Sequence, residues 1–341
     1  MRNLGKTALR VTEIGFGGAP LGNLFAIVTE PDAQASLATA WDNGCRYFDT
    51  SPYYGYGLSE RRVGDALREK PRDQYVLSTK VGRLITPGLH TRGSGTAFET
   101  PMPFGAKFDY GYDATMRSIA DSLQRLGLDR IDVALIHDIA RDYHGDDYPR
   151  HLRGAMEGGY RALVELKAAG QIGAIGLGVN EVAACEEAMG HGDFDCFLLG
   201  GRYTLLEQAP VDRFFPACQK KNISIIVGGP FNSGLLARLG RSDATYNYVA
   251  VPPDIAKRAA ALHETCARHG VPLPAAALQF PLAHPVVAAI IPGARNRAEV
   301  ASHWQWARLK IPAALWDDLR ERGLLHPDAP VPQGPILQAQ S

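Results

Sequence analysis

Eight times along this 341-residue chain a short apolar run gives way to a turn and then to an amphipathic stretch. The apolar runs fall at 13–19, 45–50, 75–80, 133–137, 174–179, 196–200, 224–228 and 287–292. Helical spacing of apolar residues marks 31–43, 59–68, 113–126, 155–169, 181–189, 210–221 and 253–269 between them. Ser59 is placed to cap the second of these, and Gly170 to stop the fourth. A helix over 297–307 follows the last run, and 313–322 adds one more.

Strict alternation of strand and helix implies parallel strands joined by right-handed crossovers. Eight such units close into a barrel. The rival arrangement, an open doubly wound sheet, would carry a G-x-G-x-x-G turn after its first strand, and the sequence has none there. The expected fold is therefore α/β: a single-domain (β/α)8 TIM barrel over 1–326. A hairpin over 2–13 covers one end. An irregular tail over 327–341 carries four prolines. Two long connections, 82–112 and 138–154, follow the third and fourth strands on the side where barrel active sites are built.

Apolar residues make up 45% and charged residues 21%, with 36 cationic and 36 acidic side chains. Bulk charge thus draws in neither nucleic acid nor an anionic membrane. No apolar run reaches the length of a membrane span, and the N-terminus lacks the apolar core of a signal peptide. The five cysteines are odd in number and scattered, which fits reduced thiols better than a disulfide framework. A cytoplasmic location is expected.

Charged residues inside apolar strands need partners. Asp49, Lys80 and His137 end the second, third and fourth strands, and neighbouring barrel strands point such ends at one mouth. Asp49 is expected to pair with Lys80, and Lys80 to lie near a tyrosine hydroxyl. A cation there favours the phenolate, so that tyrosine can exchange a proton with a substrate oxygen near neutral pH. His137 is placed to orient the same oxygen.

These residues, in the order Asp49, Tyr54, Lys80, His137, resemble the catalytic tetrad of the aldo-keto reductases. Phe48-Asp49-Thr50-Ser51-Pro52-Tyr53-Tyr54-Gly55, Glu60 with Val63-Gly64, and Ile290-Ile291-Pro292-Gly293-Ala294-Arg295 support the resemblance, which runs over residues 1–310. It assigns the general acid or base to Tyr54 and not to Tyr53. It implies direct hydride transfer with a nicotinamide cofactor. By the same resemblance Asn180 holds the carboxamide of that cofactor. The turn carrying Gly228, Gly229, Phe231, Ser233, Gly234 and Leu235 covers the pyrophosphate.

Some cofactor positions depart from the family pattern. Gly200 stands where a Gln is expected, and Gly228 where an aromatic ring often stacks on the nicotinamide. Gly293 replaces a Lys, Glu299 an Arg, and Ser302-His303 a Glu-Asn pair. Glu299 would repel a ribose 2′-phosphate, which favours NAD. Arg295 and Arg297 remain as cations that keep NADP as the alternative.

Within the family, the stretches 17–23, 51–60 and 198–208 look most like the bacterial aldose 1-dehydrogenases of the L-fucose and D-threo-aldose type. Pyridoxal 4-dehydrogenases look similar in the same stretches. The implied substrate is a small sugar or carbonyl compound, with the anomeric hydroxyl oxidised to a lactone. Arg83, His90, Arg92 and His144 are candidate donors to its hydroxyls. A general carbonyl reductase and a non-catalytic, cofactor-binding regulatory barrel are the other readings, and the oligomeric state is left open. Several signals are set aside. Gly5-Lys6-Thr7 lacks the glycine a phosphate-binding loop needs before it. His137, His144 and His151 lie in a segment broken by Pro and Gly, so no metal is expected. Asn222-Ile223-Ser224 is idle as a glycosylation acceptor in a cytosolic chain. Trp304 and Trp306 are expected to pack or to meet another subunit.

Overall fold

The computed structural model describes residues 1–88, 97–238, 245–247 and 249–337. Eight parallel strands form one sheet in chain order: β1 (Phe16–Gly17), β2 (Tyr47–Asp49), β3 (Val76–Val81), β4 (Val133–His137), β5 (Ala174–Val179), β6 (Cys196–Gly200), β7 (Ser224–Gly228) and β8 (Val287–Ile291). Backbone bonds close the ends of that sheet on each other. Gly15 N–H donates to Ile290 at 2.8 Å, Ile290 N–H to Glu13 at 2.8 Å, and Gly17 N–H to Pro292 at 3.1 Å. The fold is the (β/α)8 barrel that the repeat implies.

A strand's side chains alternate between its two faces. Here the alternation sorts the core in two. Val76, Val133, Leu135, Ala174, Cys196, Leu198 and Ile226 fill the barrel, and Leu4 and Val11 of the N-terminal hairpin (Arg2–Asn3 with Arg10–Val11) pack on the same cluster from below. Leu77, Val81, Ile136, Ile175, Phe197 and Ile225 face outward against the helices. All five cysteines are free and buried. Among the described residues, no helix is long and apolar enough to cross a membrane.

Two local expectations need correcting, and two elements were not foreseen. Ser59 does not cap its helix: Leu58–Leu67 starts behind Gly57, whose φ of 97° sets the turn, and the Ser59 hydroxyl donates instead to the Gly18 carbonyl at 2.7 Å. The helix expected from residue 155 begins at Tyr148 and passes through a π-helical turn at Ala155–Tyr160. The connection 82–112 is partly ordered as a hairpin, Arg83–Pro87 against Phe104–Phe108. A helix at Leu273–Gln279 gave no amphipathic signal, because residues from Leu273 to Gln279 are buried nearly all round.

Candidate active site

The inward-facing residues at the C-terminal ends of β2 to β7 are Asp49, Lys80, His137, Gly178, Gly200 and Gly228. One half of the barrel mouth is therefore charged and the other half is bare backbone. Between and above them lies a cavity of about 460 Å³.

On the charged half, Lys80 is 1% exposed. Its Nζ donates to Asp49 Oδ2 at 2.7 Å and to the Thr50 carbonyl at 2.8 Å. Ser78 donates to the other Asp49 oxygen at 2.7 Å. Burial pushes the Asp49 carboxyl above its ordinary value, and the Lys80 ammonium and the Ser78 hydroxyl oppose the rise. The Lys80 side chain passes Gly178, where a Cβ would lie 3.1 Å from Cε.

Tyr54 sits in the turn after β2, and its ring centroid lies 4.7 Å from Lys80 Nζ. Its neighbour Tyr53 lies under the Arg83 guanidinium at 3.8 Å, with its ring 6.3 Å from that of His137. The His137 ring stands edge-on to Tyr54, with centroids 5.9 Å apart. Burial, then Lys80 and Arg83, hold His137 well below its usual pKa, so the ring is neutral at pH 7. Ser51 Oγ accepts from Tyr53 N–H at 3.1 Å and lies 3.2 Å from His137 Nδ1. Nε2 faces the Asp138 carboxylate at 3.5 Å, which favours the ring proton on Nε2.

On the bare half, the Asn180 side chain crosses the end of β6, and a Cβ on Gly200 would lie 2.2 Å from its Oδ1. A glutamine there would displace Asn180. Gly228 and Gly229 continue this floor, and Phe231, Ser233 and Gly234 line the cavity beyond them. The Asn232 Oδ1 in the same turn is buried without a hydrogen-bond partner among the described residues. The far end is walled by Arg295, Glu299, Ser302, His303 and Trp306. Gly293 packs so close to Pro20 that a Cβ would sit 2.6 Å from its ring, which leaves no room for a lysine. Arg295 donates to Glu299 at 2.7 Å. Burial pushes that carboxyl up, but the bonds from Arg295 outweigh it and hold the group below its ordinary value, so it is ionised.

The match to the aldo/keto reductase family model runs over residues 13–322. The chain belongs to the aldo/keto reductase family. It is an oxidoreductase, and the family's cofactor is a nicotinamide dinucleotide. Pyridoxal 4-dehydrogenase of Microbacterium luteolum is 43% identical over 95% of this chain and 97% of its own length. D-threo-aldose 1-dehydrogenase of a Pseudomonas species is 39% identical over 93% and 95%. The holo form of an aldo-keto reductase from Bacillus halodurans superposes with a TM-score of 0.74 at 26% identity, over 97% of both chains. A nicotinamide dinucleotide fits what lines the cavity: a glycine floor under the Asn180 amide, an orphaned buried amide oxygen at Asn232, and a second polar cluster at the opposite end.

The cavity takes in most of the residues expected from sequence: Asp49, Tyr54, Lys80, His137, Asn180, Gly228, Gly229, Phe231, Ser233, Gly234, Gly293 and Arg295. Two lie elsewhere. Leu235 is buried in the outer core, because the turn reverses after Gly234. Arg297 opens the helix Arg297–Arg308 and points to solvent, outside the cavity. His90 and Arg92 lie outside the described residues. His144 stacks on His151 with centroids 4.1 Å apart and meets the Tyr110 hydroxyl at 3.0 Å. Trp306, expected to pack or to meet another subunit, lines the cavity, whereas Trp304 is core. Asp138 gave no sequence signal. By alternation it should point away from the mouth, and only its left-handed backbone, φ 50°, turns it in.

Proposed function

We propose that this protein oxidises the anomeric hydroxyl of an aldose of the L-fucose or D-threo type to the lactone, with NAD as the hydride acceptor. One observation carries the reading: Lys80, fixed by Asp49 at 2.7 Å, sits 4.7 Å from the Tyr54 ring on the cavity floor. The nicotinamide ring, when bound, supplies the hydride acceptor. Tyr54 takes the hydroxyl proton as general base, and the Lys80 ammonium stabilises the negative charge that a phenolate carries. Asp49 holds Lys80 in place. His137 gives a hydrogen bond from Nε2 to the reacting oxygen and orients it. In the reverse direction the same phenol returns the proton.

NAD is favoured over NADP by the ionised Glu299, which occupies Arg295 and would repel a 2′-phosphate at that end. Pyridoxal is supported as a second substrate reading by the 43% relative. An aldehyde beside a hydroxymethyl group also closes to a cyclic hemiacetal, so its oxidation makes a lactone by the same proton and hydride transfers.

Absorbance at 340 nm with NAD and either L-fucose or pyridoxal separates the two. Sugar turnover alone supports the first, and pyridoxal turnover alone the second. Reduction of simple aldehydes with neither oxidation marks a general carbonyl reductase, and cofactor binding without any turnover a regulatory barrel. Tyr54→Phe should keep cofactor affinity and lose roughly 10²–10⁴-fold in kcat. A kcat near wild type would remove Tyr54 from the proposed role.

A further inference from the structure

We propose that Asp138 and Arg83 form a clamp for a second substrate oxygen, carried on the carbon next to the reacting one. The inference rests on the reading that Tyr54 and His137 hold the reacting oxygen.

A second ion pair lies in the cavity wall beside the Asp49–Lys80 pair. Arg83 Nη2 meets Asp138 Oδ2 at 2.7 Å, and both side chains are more than nine-tenths buried. A pair that served only packing could be replaced by apolar groups with little loss, so two buried charges at a pocket wall call for a ligand. Three features point the same way. The Arg83 Nε is buried with no hydrogen-bond partner among the described residues. A buried guanidinium N–H left so calls for an explanation beyond packing. The guanidinium is also held flat among the rings of Tyr53, Phe108 and Tyr143 at 3.8, 4.4 and 4.9 Å, so its donors have fixed directions. Phe108 is the cross-strand partner of Arg83, which gives the hairpin after β3 a purpose: it cages this one side chain. Finally, Asp138 adopts a left-handed backbone that brings its carboxylate to within 3.5 Å of His137 Nε2. Unusual backbone at a strand end facing a cavity is where strain serves a site.

The geometry selects the ligand class. An oxygen bound at His137 Nε2 lies next to Asp138. A hydroxyl on the adjacent carbon then reaches the same carboxylate, donating to it, while accepting from the Arg83 fork. Donor and acceptor side by side suit a hydroxyl and not a hydrogen atom. The clamp therefore selects compounds with two vicinal oxygens, such as an aldose with its 2-hydroxyl. Simple alcohols and aldehydes offer this pair no second oxygen.

The test uses full-length enzyme with NAD or NADH. An aldose is compared with its 2-deoxy counterpart in oxidation, and glyceraldehyde with propanal in reduction. The variants are Arg83→Lys, Asp138→Asn and the neutral pair Asp138→Asn with Arg83→Gln, which keeps a hydrogen bond across the gap if either single change unfolds the chain. Thermal melting and NAD affinity verify each protein. Wild type should favour the hydroxylated member of each pair in kcat/KM by roughly 10²-fold or more, and the ratio should fall toward 1 in the variants. A wild-type ratio near 1, or a ratio unchanged in folded variants that bind NAD, overturns the clamp. The two readings fail separately. If neither sugar nor pyridoxal is oxidised but glyceraldehyde is still favoured, the lactone-forming reaction is wrong and the clamp stands.

Discussion

Replacing Lys80 by Met tests whether the cation acts on Tyr54 or only props up the barrel mouth. A unit charge 4.7 Å from the phenol ring attracts a phenolate with about 3.5 kcal/mol at an effective dielectric of about 20. That corresponds to a ceiling of roughly 400-fold in rate. Asp49, 2.7 Å from the same ammonium, cancels part of the field, so the expected loss in kcat/KM is between about 30- and 400-fold. Breaking a buried pair also leaves Asp49 uncompensated, at about 3–5 kcal/mol of stability. The assay therefore runs well below the measured melting temperature, and Asp49→Asn is combined with Lys80→Met as a neutral control. The decisive measurement is a double-mutant cycle, in which initial NADH formation is compared in wild-type and Tyr54→Phe backgrounds. If Lys80 works through the Tyr54 hydroxyl, its removal costs less than about 3-fold once that hydroxyl is gone. Equal losses in both backgrounds would refute the reasoning and make Lys80 a structural residue.

Gly200→Ala should leave melting nearly unchanged and weaken NAD binding about tenfold or more, because the new methyl would lie 2.2 Å from Asn180 Oδ1 and must push that amide aside; fluorescence titration showing wild-type affinity would contradict this placement of Asn180. Glu299→Lys should raise kcat/KM for NADP relative to NAD by at least about tenfold, by freeing Arg295 and reversing the local charge; an unchanged cofactor ratio would shift the selectivity elsewhere. Burial lowers His303 to about 4. The unfolded chain therefore binds that proton first, near pH 6.5, and stability is lost as pH falls from there toward 4. His303→Gln should flatten the fall in Tm between pH 7 and pH 5, and a curve parallel to wild type would show that other groups govern it.

The repeat of strand and helix was legible because it is a property of the local pattern. Six of the eight strands fall within one residue of both expected limits, since buried parallel strands read as continuous apolar runs bounded by turns. β1 is shorter than its apolar run because only Phe16 and Gly17 form the ladder with β2. The helix at Leu273–Gln279 escaped because burial on every side erases the amphipathic period. Asp49, Lys80 and His137 were legible for a related reason. Each is a charged or titratable residue at the end of an apolar strand, where it needs either a partner or a task.

What the sequence determined by itself is the architecture and the side of the barrel on which charge collects, because alternation and strand order are set residue by residue. The Asp49–Lys80 pair and the choice of Tyr54 over Tyr53 were also expected, the second from the family resemblance. Other approaches at the mouth were decided only by tertiary structure: the Asn180 amide lying where Gly200 gives it room, and Asp138 turned in toward Arg83, each depend on backbone angles and close approaches between segments distant in the chain. A pattern of apolar and polar residues carries no information on such contacts. They arise when the barrel closes and fixes which side chains share the same few ångströms.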